Sequence, residues 1–223
     1  MKRCVVFDLD GTLCDTAQDL IAAANAALDH LGSPERLDAD DPGDRATALR
    51  GGKAMLRRAL GREGEADAAQ VEAGYGPLLD AYGAAICVHT RFYPGAREAV
   101  ARLRGAGTAV AICTNKPERL ARSLMEALGA ADDFDALVGA DTLPVRKPDP
   151  APLRAAVEQA GGALTRSVLV GDTDTDRDTA AAAGVPSILV TFGPHGADVA
   201  ELRPDALLHD YDQIEAALMV VGL

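Results

Sequence analysis

The sequence lacks the long apolar stretches that mark membrane spans and signal peptides. No hydrophobic run approaches the roughly 20 residues that a transmembrane helix needs. The opening residues, MKRCVVFDLD, turn acidic before a signal-peptide core could develop. We therefore expect a cytoplasmic protein without a membrane partner.

Cysteine is scarce, and clusters of basic residues are missing. The four cysteines, Cys4, Cys14, Cys87 and Cys113, form no CxxC pair, which argues against disulfides and structural zinc. The formal net charge is −12, with no stripe of Lys and Arg, which argues against a nucleic-acid partner. An acidic protein that binds an anionic substrate needs a metal ion or placed cations at the site. Nothing in the sequence indicates the oligomeric state.

Short apolar runs alternate with helical patterns over most of the 223 residues. The runs have the length and continuity of parallel strands that are buried on both faces. They are residues 4–7, 108–114, 167–172 and 186–192, and helical patterns at 96–104, 149–159 and 175–183 precede the last three. Before the second of these helices, Asp149 and Pro150 suggest an Asp cap followed by Pro at the first helical position. The alternation predicts an α/β fold, a doubly wound, Rossmann-like parallel sheet.

Residues 16–92 break this alternation, because they hold only helical patterns such as residues 20–31. We interpret 16–92 as an α-helical cap inserted after the first strand, with a loop at 33–44 that is rich in Pro and Asp. The α/β catalytic core is then predicted to comprise residues 1–15 and 93–223.

Polar side chains follow the predicted strands at the points where they end. They are Asp8 and Asp10 after the first strand, Thr114 and Asn115 after the second, Asp172 and Asp176 after the third, and Lys147 before a helix. In an open parallel sheet, ligands bind beyond the carboxyl ends of the strands, so these segments should meet at one edge.

This set of residues suits phosphoryl chemistry. Asp8 and Asp10, two apart on an extended segment, should share a face with Asp172, and such a cluster needs a hard cation such as Mg²⁺. A carboxylate such as Asp8 could attack a bound phosphoryl group, with Asp10 as general acid and base. The Thr114 hydroxyl, the Asn115 amide and the Lys147 ammonium would hold the remaining phosphoryl oxygens.

Each motif alone also has an ordinary structural explanation. Asp followed by Gly is common turn chemistry, Thr114-Asn115 is compatible with a simple turn, and most lysines are solvated. A calcium loop at DTDTD would need Gly where Arg177 stands and Glu where Ala183 stands. It is the joint occurrence of the motifs, in this order, that favours a functional site.

With these motifs the sequence resembles the haloacid dehalogenase superfamily, and within it the phosphoglycolate phosphatase-like members with a helical cap. The four motifs are FDLDGTLCDT, ICTNK, RKPDP and VGDTDTD, and the resemblance runs over nearly the whole chain. It implies that Asp8 is the nucleophile, that Asp10 is the acid and base, and that the phosphoryl group binds to Thr114, Asn115 and Lys147. It also implies a Mg²⁺ ion held by the Asp8 carboxylate, the Asp10 carbonyl and Asp172, with Asp176 as a further acidic support.

The resemblance implies a Mg²⁺-dependent phosphatase that acts on a small phosphomonoester, with phosphoglycolate suggested by family likeness. Asp10 favours phosphoryl transfer, because the dehalogenases and phosphonatases of the superfamily lack an Asp at this position. Arg50 and Lys53 flank a Gly51-Gly52 turn, and we expect them to contact the non-phosphate end of the substrate. The alternatives are a sugar-phosphate mutase like β-phosphoglucomutase and a binding protein without catalysis.

Overall fold

A computed structural model of the chain describes residues 2–62 and 64–223, so residue 1 of the predicted core lies outside the described residues. In chain order the strands are β1 (Lys2–Phe7), β2 (Cys14–Asp15), β3 (Arg91–Phe92), β4 (Ala109–Cys113), β5 (Ala136–Val138), β6 (Gly162–Gly171), β7 (Ser187–Val190) and β8 (Ala206–Leu208). The α-helices are α1 (Ala17–His30), α2 (Pro42–Ala48), α3 (Gly52–Leu60), α4 (Ala68–Ala84), α5 (Ala96–Gly105), α6 (Glu118–Ala127), α7 (Ala151–Gln159), α8 (Asp174–Ala183) and α9 (Ile214–Val220). Short 3₁₀ helices lie at Ala131–Asp133, Gly196–Leu202 and Tyr211–Gln213. Within the described ranges, no helix combines the length and the apolar content that crossing a bilayer requires.

The chain divides into two compact units. Of the described residues, 2–15 and 92–223 form the larger unit, and 16–62 and 64–91 form the helical unit. The larger unit contains the parallel sheet, whereas α1 to α4 form the helical unit.

The sheet of the larger unit has six parallel strands in the order β5, β4, β1, β6, β7, β8. Val6 of the central strand β1 pairs with Ala111 of β4 on one side and with Leu169 of β6 on the other. The chain moves outward from β1 to β5 and then, after crossing back, from β6 to β8. This is the strand order of a Rossmann fold, with its switch point between β1 and β6, and it confirms the predicted doubly wound α/β sheet.

The central strands contain buried apolar runs because helices cover both faces of the sheet. Cys4 and Val6 of β1 belong to a buried cluster that also includes Leu153 of α7 and Ala180 of α8. On the opposite face, the Phe7 ring lies 6.3 Å from the ring of Tyr211. Burial raises the pKa values of Cys4 and Cys113 to about 12, so both thiols stay protonated at neutral pH. The resulting rigid sheet fixes the positions of the segments that follow its strands.

Two buried carboxylates organise the helical unit. Asp19 of α1 accepts hydrogen bonds from the backbone N–H of Thr90 (2.8 Å) and from its hydroxyl (2.7 Å). Asp44 of α2 binds the guanidinium groups of Arg58 and Arg62. Each carboxylate therefore ties its helix to a segment distant in sequence.

The loop predicted at residues 33–44 ends earlier than expected, because α2 begins at Pro42. The Asp41 side chain accepts a hydrogen bond from the N–H of Asp44 (2.8 Å), which caps the helix, and Pro42 occupies its first turn. The prediction was therefore wrong for residues 42–44.

Candidate active site

A tight turn after β1 positions the first two acidic residues. The N–H of Asp8 donates to the carbonyl of Val170 at 2.9 Å and so continues the parallel pairing beyond β1. The N–H groups of Leu13 and Cys14 then both donate to the carbonyl of Leu9, each at 3.0 Å. Gly11 lies within the turn with φ +80°, a conformation that favours glycine. The turn thus holds Asp8 and Asp10 at the carboxyl end of the sheet.

Three carboxylates meet at this edge of the sheet. Asp8, Asp172 after β6 and Asp176 in the first turn of α8 each place an oxygen within 4.8 Å of the others. Asp172 and Asp176 are buried, and the Asp8 side chain is 14% exposed. The Asp10 side chain instead binds the Lys116 ammonium, with 2.7 Å between Oδ1 and Nζ.

Asp176 is the most fully bonded member of the cluster. Its Oδ2 accepts from the N–H groups of Asp172 and Thr173, both at 3.2 Å, and from the Thr173 hydroxyl at 2.8 Å. Its Oδ1 accepts from the Lys147 ammonium at 2.6 Å. A side chain at Gly171 would place its Cβ 2.3 Å from the Cβ of Asp176, so glycine is required for this close approach. Asp176 therefore fixes the neighbouring groups, with both of its own oxygens engaged.

Lys147 is buried among these carboxylates, with a side chain that is 2% exposed. Its ammonium lies 3.1 Å from Asp8 Oδ1, an ion-pair contact without hydrogen-bond alignment. Burial lowers the pKa of Lys147, but Asp176 and Asp8 raise it by more, so the pKa lies above its ordinary value. The ammonium is therefore charged at neutral pH.

The cluster places three carboxylates around a single lysine, which makes it costly to ionise all of them. Burial raises the pKa of Asp8 to about 6; Asp176 and Asp10 add to this rise, and Lys147 opposes it. Burial also raises the pKa of Asp172 well above its usual range, with further contributions from Asp176 and Asp8. Ionisation of all three carboxylates beside one ammonium would leave two negative charges, which one divalent cation would neutralise.

Two oxygens of the cluster have no hydrogen-bond donor. Within residues 2–62 and 64–223, Asp8 Oδ1 and Asp172 Oδ2 are buried and accept no hydrogen bond. Asp8 Oδ1 has the ion-pair contact with Lys147 in place of a hydrogen bond, and Asp172 Oδ2 accepts no bond from the described residues. A buried oxygen without a hydrogen bond is costly and calls for an explanation, such as an ion. An all-oxygen set of ligands that contains three carboxylates and one ammonium fits Mg²⁺.

Two residues that the sequence motifs did not single out hold Asp172 in place. The Thr12 hydroxyl donates to Asp172 Oδ1 at 3.0 Å, and the Tyr211 hydroxyl donates to the Thr12 carbonyl at 2.8 Å. All three residues are buried. This chain of bonds engages Asp172 Oδ1, whereas Oδ2 accepts no hydrogen bond from the described residues and stays available to a ligand. Thr12 could have been found from its place in the DGT motif, but Tyr211 is 199 positions away and carries no sequence signal.

A hydrogen bond joins two of the three predicted phosphoryl-binding residues. The Asn115 side chain donates from Nδ2 to the carbonyl of Lys147 at 3.1 Å, which links the segment after β4 to the segment before α7. Thr114 is buried, and its Oγ1 accepts from the N–H of Lys116 at 3.1 Å. Because a hydroxyl can accept and donate at once, the Thr114 proton is still available to a ligand.

The remaining predicted residues, Arg50 and Lys53, belong to the helical unit. Arg50 is exposed. The Lys53 ammonium binds both carboxylate oxygens of Glu72, at 2.7 and 2.8 Å, and lies 5.0 Å from the centre of the Tyr75 ring. Contact of either residue with a substrate stays a prediction.

Comparison with known proteins relates the whole chain to one family. Residues 2–184 match the family model of haloacid dehalogenase-like hydrolases. The chain is 41% identical over 215 residues to a phosphoglycolate phosphatase of Mesorhizobium japonicum, which covers 96% of this chain and 93% of the relative. It is 37% identical over 218 residues to a phosphoglycolate phosphatase of Caulobacter vibrioides, which covers 97% of this chain and 91% of the relative. A crystal structure from Haemophilus somnus, described as a predicted phosphoglycolate phosphatase, matches with a TM-score of 0.82 at 26% identity and covers 96% of this chain and 97% of that one.

Proposed function

The chain belongs to the haloacid dehalogenase-like hydrolase family, and from this premise we propose that it is a Mg²⁺-dependent phosphatase. We propose that it hydrolyses a small phosphomonoester, phosphoglycolate first among the candidates, through an aspartyl-phosphate on Asp8. The observation that carries the proposal is the cluster of Asp8, Asp172 and Asp176, which sets three carboxylates against one ammonium. The names of the curated relatives support the choice of substrate.

The proposed metal ligands are the carboxylates of Asp8 and Asp172 and the backbone carbonyl of Asp10, with Asp176 holding the surrounding groups. When bound, Mg²⁺ would supply the positive charge that draws a phosphate monoester into this acidic site and polarises its phosphoryl group. The unbonded oxygens of Asp8 and Asp172 support this assignment.

In the first step, an oxygen of the Asp8 carboxylate attacks phosphorus, and the bond from phosphorus to the ester oxygen breaks. Asp10 gives its proton to the departing oxygen, which leaves as the alcohol. In the second step, Asp10 takes a proton from a water molecule as this water attacks the phosphorus of the aspartyl-phosphate. The Asp8 carboxylate and inorganic phosphate are then released.

Three donors would hold the phosphoryl oxygens during both steps. Lys147 offers a charged ammonium that is already fixed by Asp176, and Thr114 offers a hydroxyl proton. The Asn115 amide completes the set. Donors that are fixed before the reaction stabilise the charge of the transition state without reorganisation.

We further propose the helical unit as the substrate-selecting cap, with Arg50 and Lys53 as contacts to the non-phosphate end of the substrate. Arg50 is the stronger candidate of the two, because Lys53 is held by Glu72. Replacing Arg50 with Ala should raise KM for phosphoglycolate and leave KM for a phosphate ester without a carboxylate nearly unchanged.

The test is phosphate release from a panel of phosphomonoesters, measured with Mg²⁺ and with a chelator. We expect release that depends on Mg²⁺, with phosphoglycolate ranked first, and we expect freshly purified Asp8→Asn protein to be inactive. Conversion of a sugar phosphate to its isomer with little free phosphate would instead identify a mutase. No release from any ester, or full activity of Asp8→Asn, would refute the proposal.

A further inference from the structure

Lys116 is a buried lysine that pairs with the proposed proton carrier. Its side chain is 3% exposed, and its Nζ lies 2.7 Å from Asp10 Oδ1, whose own side chain is 15% exposed. A buried ammonium is costly unless it is paired and hydrogen-bonded, so loss of the contact with Asp10 would leave an uncompensated buried charge. A second buried lysine, Lys147, binds Asp176 and Asp8. The two lysines thus bind different carboxylates of one site.

The backbone of Lys116 is fixed on both sides. Its N–H donates to Thr114 Oγ1 at 3.1 Å, and its carbonyl accepts from the N–H of Ala140 at 2.9 Å. Ala140 lies in the segment that follows β5, so two loops of the larger unit hold this residue. The ammonium is therefore presented to Asp10 from a rigid base, as precise positioning requires.

We propose that Lys116 is a positioning residue that sets the orientation of the Asp10 carboxylate for proton transfer. This inference rests on the proposed phosphatase function. A carboxylate has two oxygens, and with Lys116 bound to Oδ1 the other oxygen, Oδ2, is left to carry the proton to the departing group. Without the lysine, the carboxylate would rotate freely between several orientations, and only a fraction would be productive.

The proposal predicts a dependence on the leaving group. An alkoxide needs a proton as it departs, whereas p-nitrophenolate is stable without one, so correct placement of the acid matters mainly for alkyl esters. For Lys116→Met we expect kcat/KM to fall by about 10- to 100-fold with the alkyl phosphate that the wild type hydrolyses best. With p-nitrophenyl phosphate the fall should be less than about 3-fold, and KM for the alkyl ester should stay within about 3-fold of wild type.

The comparison of two esters on one preparation is independent of how much of the variant is folded, because an inactive fraction lowers both rates equally. Lys116→Arg provides the conservative control, since it keeps a cation that can reach Asp10, and it should recover part of the lost alkyl-ester activity. Adding Lys116→Met to Asp10→Asn should cost less than about 3-fold more, because a residue that acts through Asp10 has nothing left to position.

Several results would overturn the inference. An equal loss with both esters would indicate general damage or stabilisation of the phosphoryl group, and a rise in KM alone would indicate that Lys116 binds substrate. Losses that multiply in the double variant would show that Lys116 acts independently of Asp10. An inactive wild type would refute the proposed function and this inference with it, whereas an active wild type with an equally active Lys116→Met would refute only the role of Lys116.

Discussion

Replacing Asp176 with Asn tests whether this carboxylate organises the acidic cluster. The side chain keeps its shape, but one oxygen becomes an NH₂ group that can only donate. If the NH₂ group faces Lys147, the 2.6 Å bond to the ammonium is lost and two donors oppose each other. If it faces the other way, the N–H groups of Asp172 and Thr173 and the Thr173 hydroxyl lose their acceptor.

Either orientation leaves at least one buried donor without a partner. Breaking a buried ion pair by removing one partner costs about 3–5 kcal/mol of the free energy of unfolding. Removing one of three neighbouring carboxylates relieves some repulsion, so without metal we expect a net loss of about 3 kcal/mol, at the low end of that range. Mg²⁺ would relieve the same repulsion in the wild type, and the loss should therefore be larger when Mg²⁺ is present.

The assay is urea unfolding followed by circular dichroism, because the chain has no tryptophan to report by fluorescence. Asp174→Asn is the matched control, since it removes the same charge from an exposed position in the same turn of α8, and it should change stability by less than about 0.5 kcal/mol. If Asp176→Asn unfolds at the same urea concentration as Asp174→Asn, the assigned role of Asp176 is wrong.

Three further variants test other parts of the structure. Lys147→Ala should lower kcat/KM by about 10²- to 10³-fold, as for other fixed donors to a transition state, and steady-state kinetics with a saturating Mg²⁺ concentration will measure it. Thr12→Val removes the hydroxyl that orients Asp172, and it should weaken Mg²⁺ binding by about 10- to 100-fold in a metal titration. Burial raises the pKa of Asp44, but hydrogen bonds from a backbone N–H and from Arg58 lower it by more, so its pKa lies below the usual range. A carboxylate with a lowered pKa adds stability to the fold above its unfolded pKa of about 3.9, and this added stability is lost as the pH falls through the folded pKa. The deficit in Tm of Asp44→Asn relative to the wild type, as seen at pH 7, should therefore shrink below about pH 4 in thermal unfolding measured against pH.

The central strands could be predicted because both faces of each are buried. β1, β4 and β7 contain buried apolar runs at residues 4–7, 109–113 and 188–190, and this pattern stands out in the sequence. The edge strands β5 and β8 have three residues each, too few for a strand pattern to differ from a fragment of helix or loop. The sequence therefore predicted a doubly wound parallel sheet but did not predict its two edge strands.

Helix starts were harder to place, because a capping residue can act from more than one position. Asp149 was predicted to cap a helix that begins with Pro150, but α7 begins at Ala151 and Pro150 precedes it. Asp149 Oδ1 still accepts a hydrogen bond from the N–H of Ala151 at 2.8 Å, so the prediction was wrong in position while the interaction exists. The pattern of residues defines a helix start only to within about one or two residues.

The candidate site shows the same limit at the level of single contacts. Every acidic residue proposed for it lies within three residues of a strand end or in the first turn of a helix, and such positions are visible in a sequence. The choice of partner is not visible, because Lys116 and Lys147 are both near polar segments and nothing in the order of residues assigns them. The fold places Lys116 next to Asp10, 106 positions away, and Lys147 next to Asp176, 29 positions away. Pairing therefore separates Asp10, the proposed acid and base, from the carboxylates proposed to bind the metal, a division that residue types and spacing alone could not reveal.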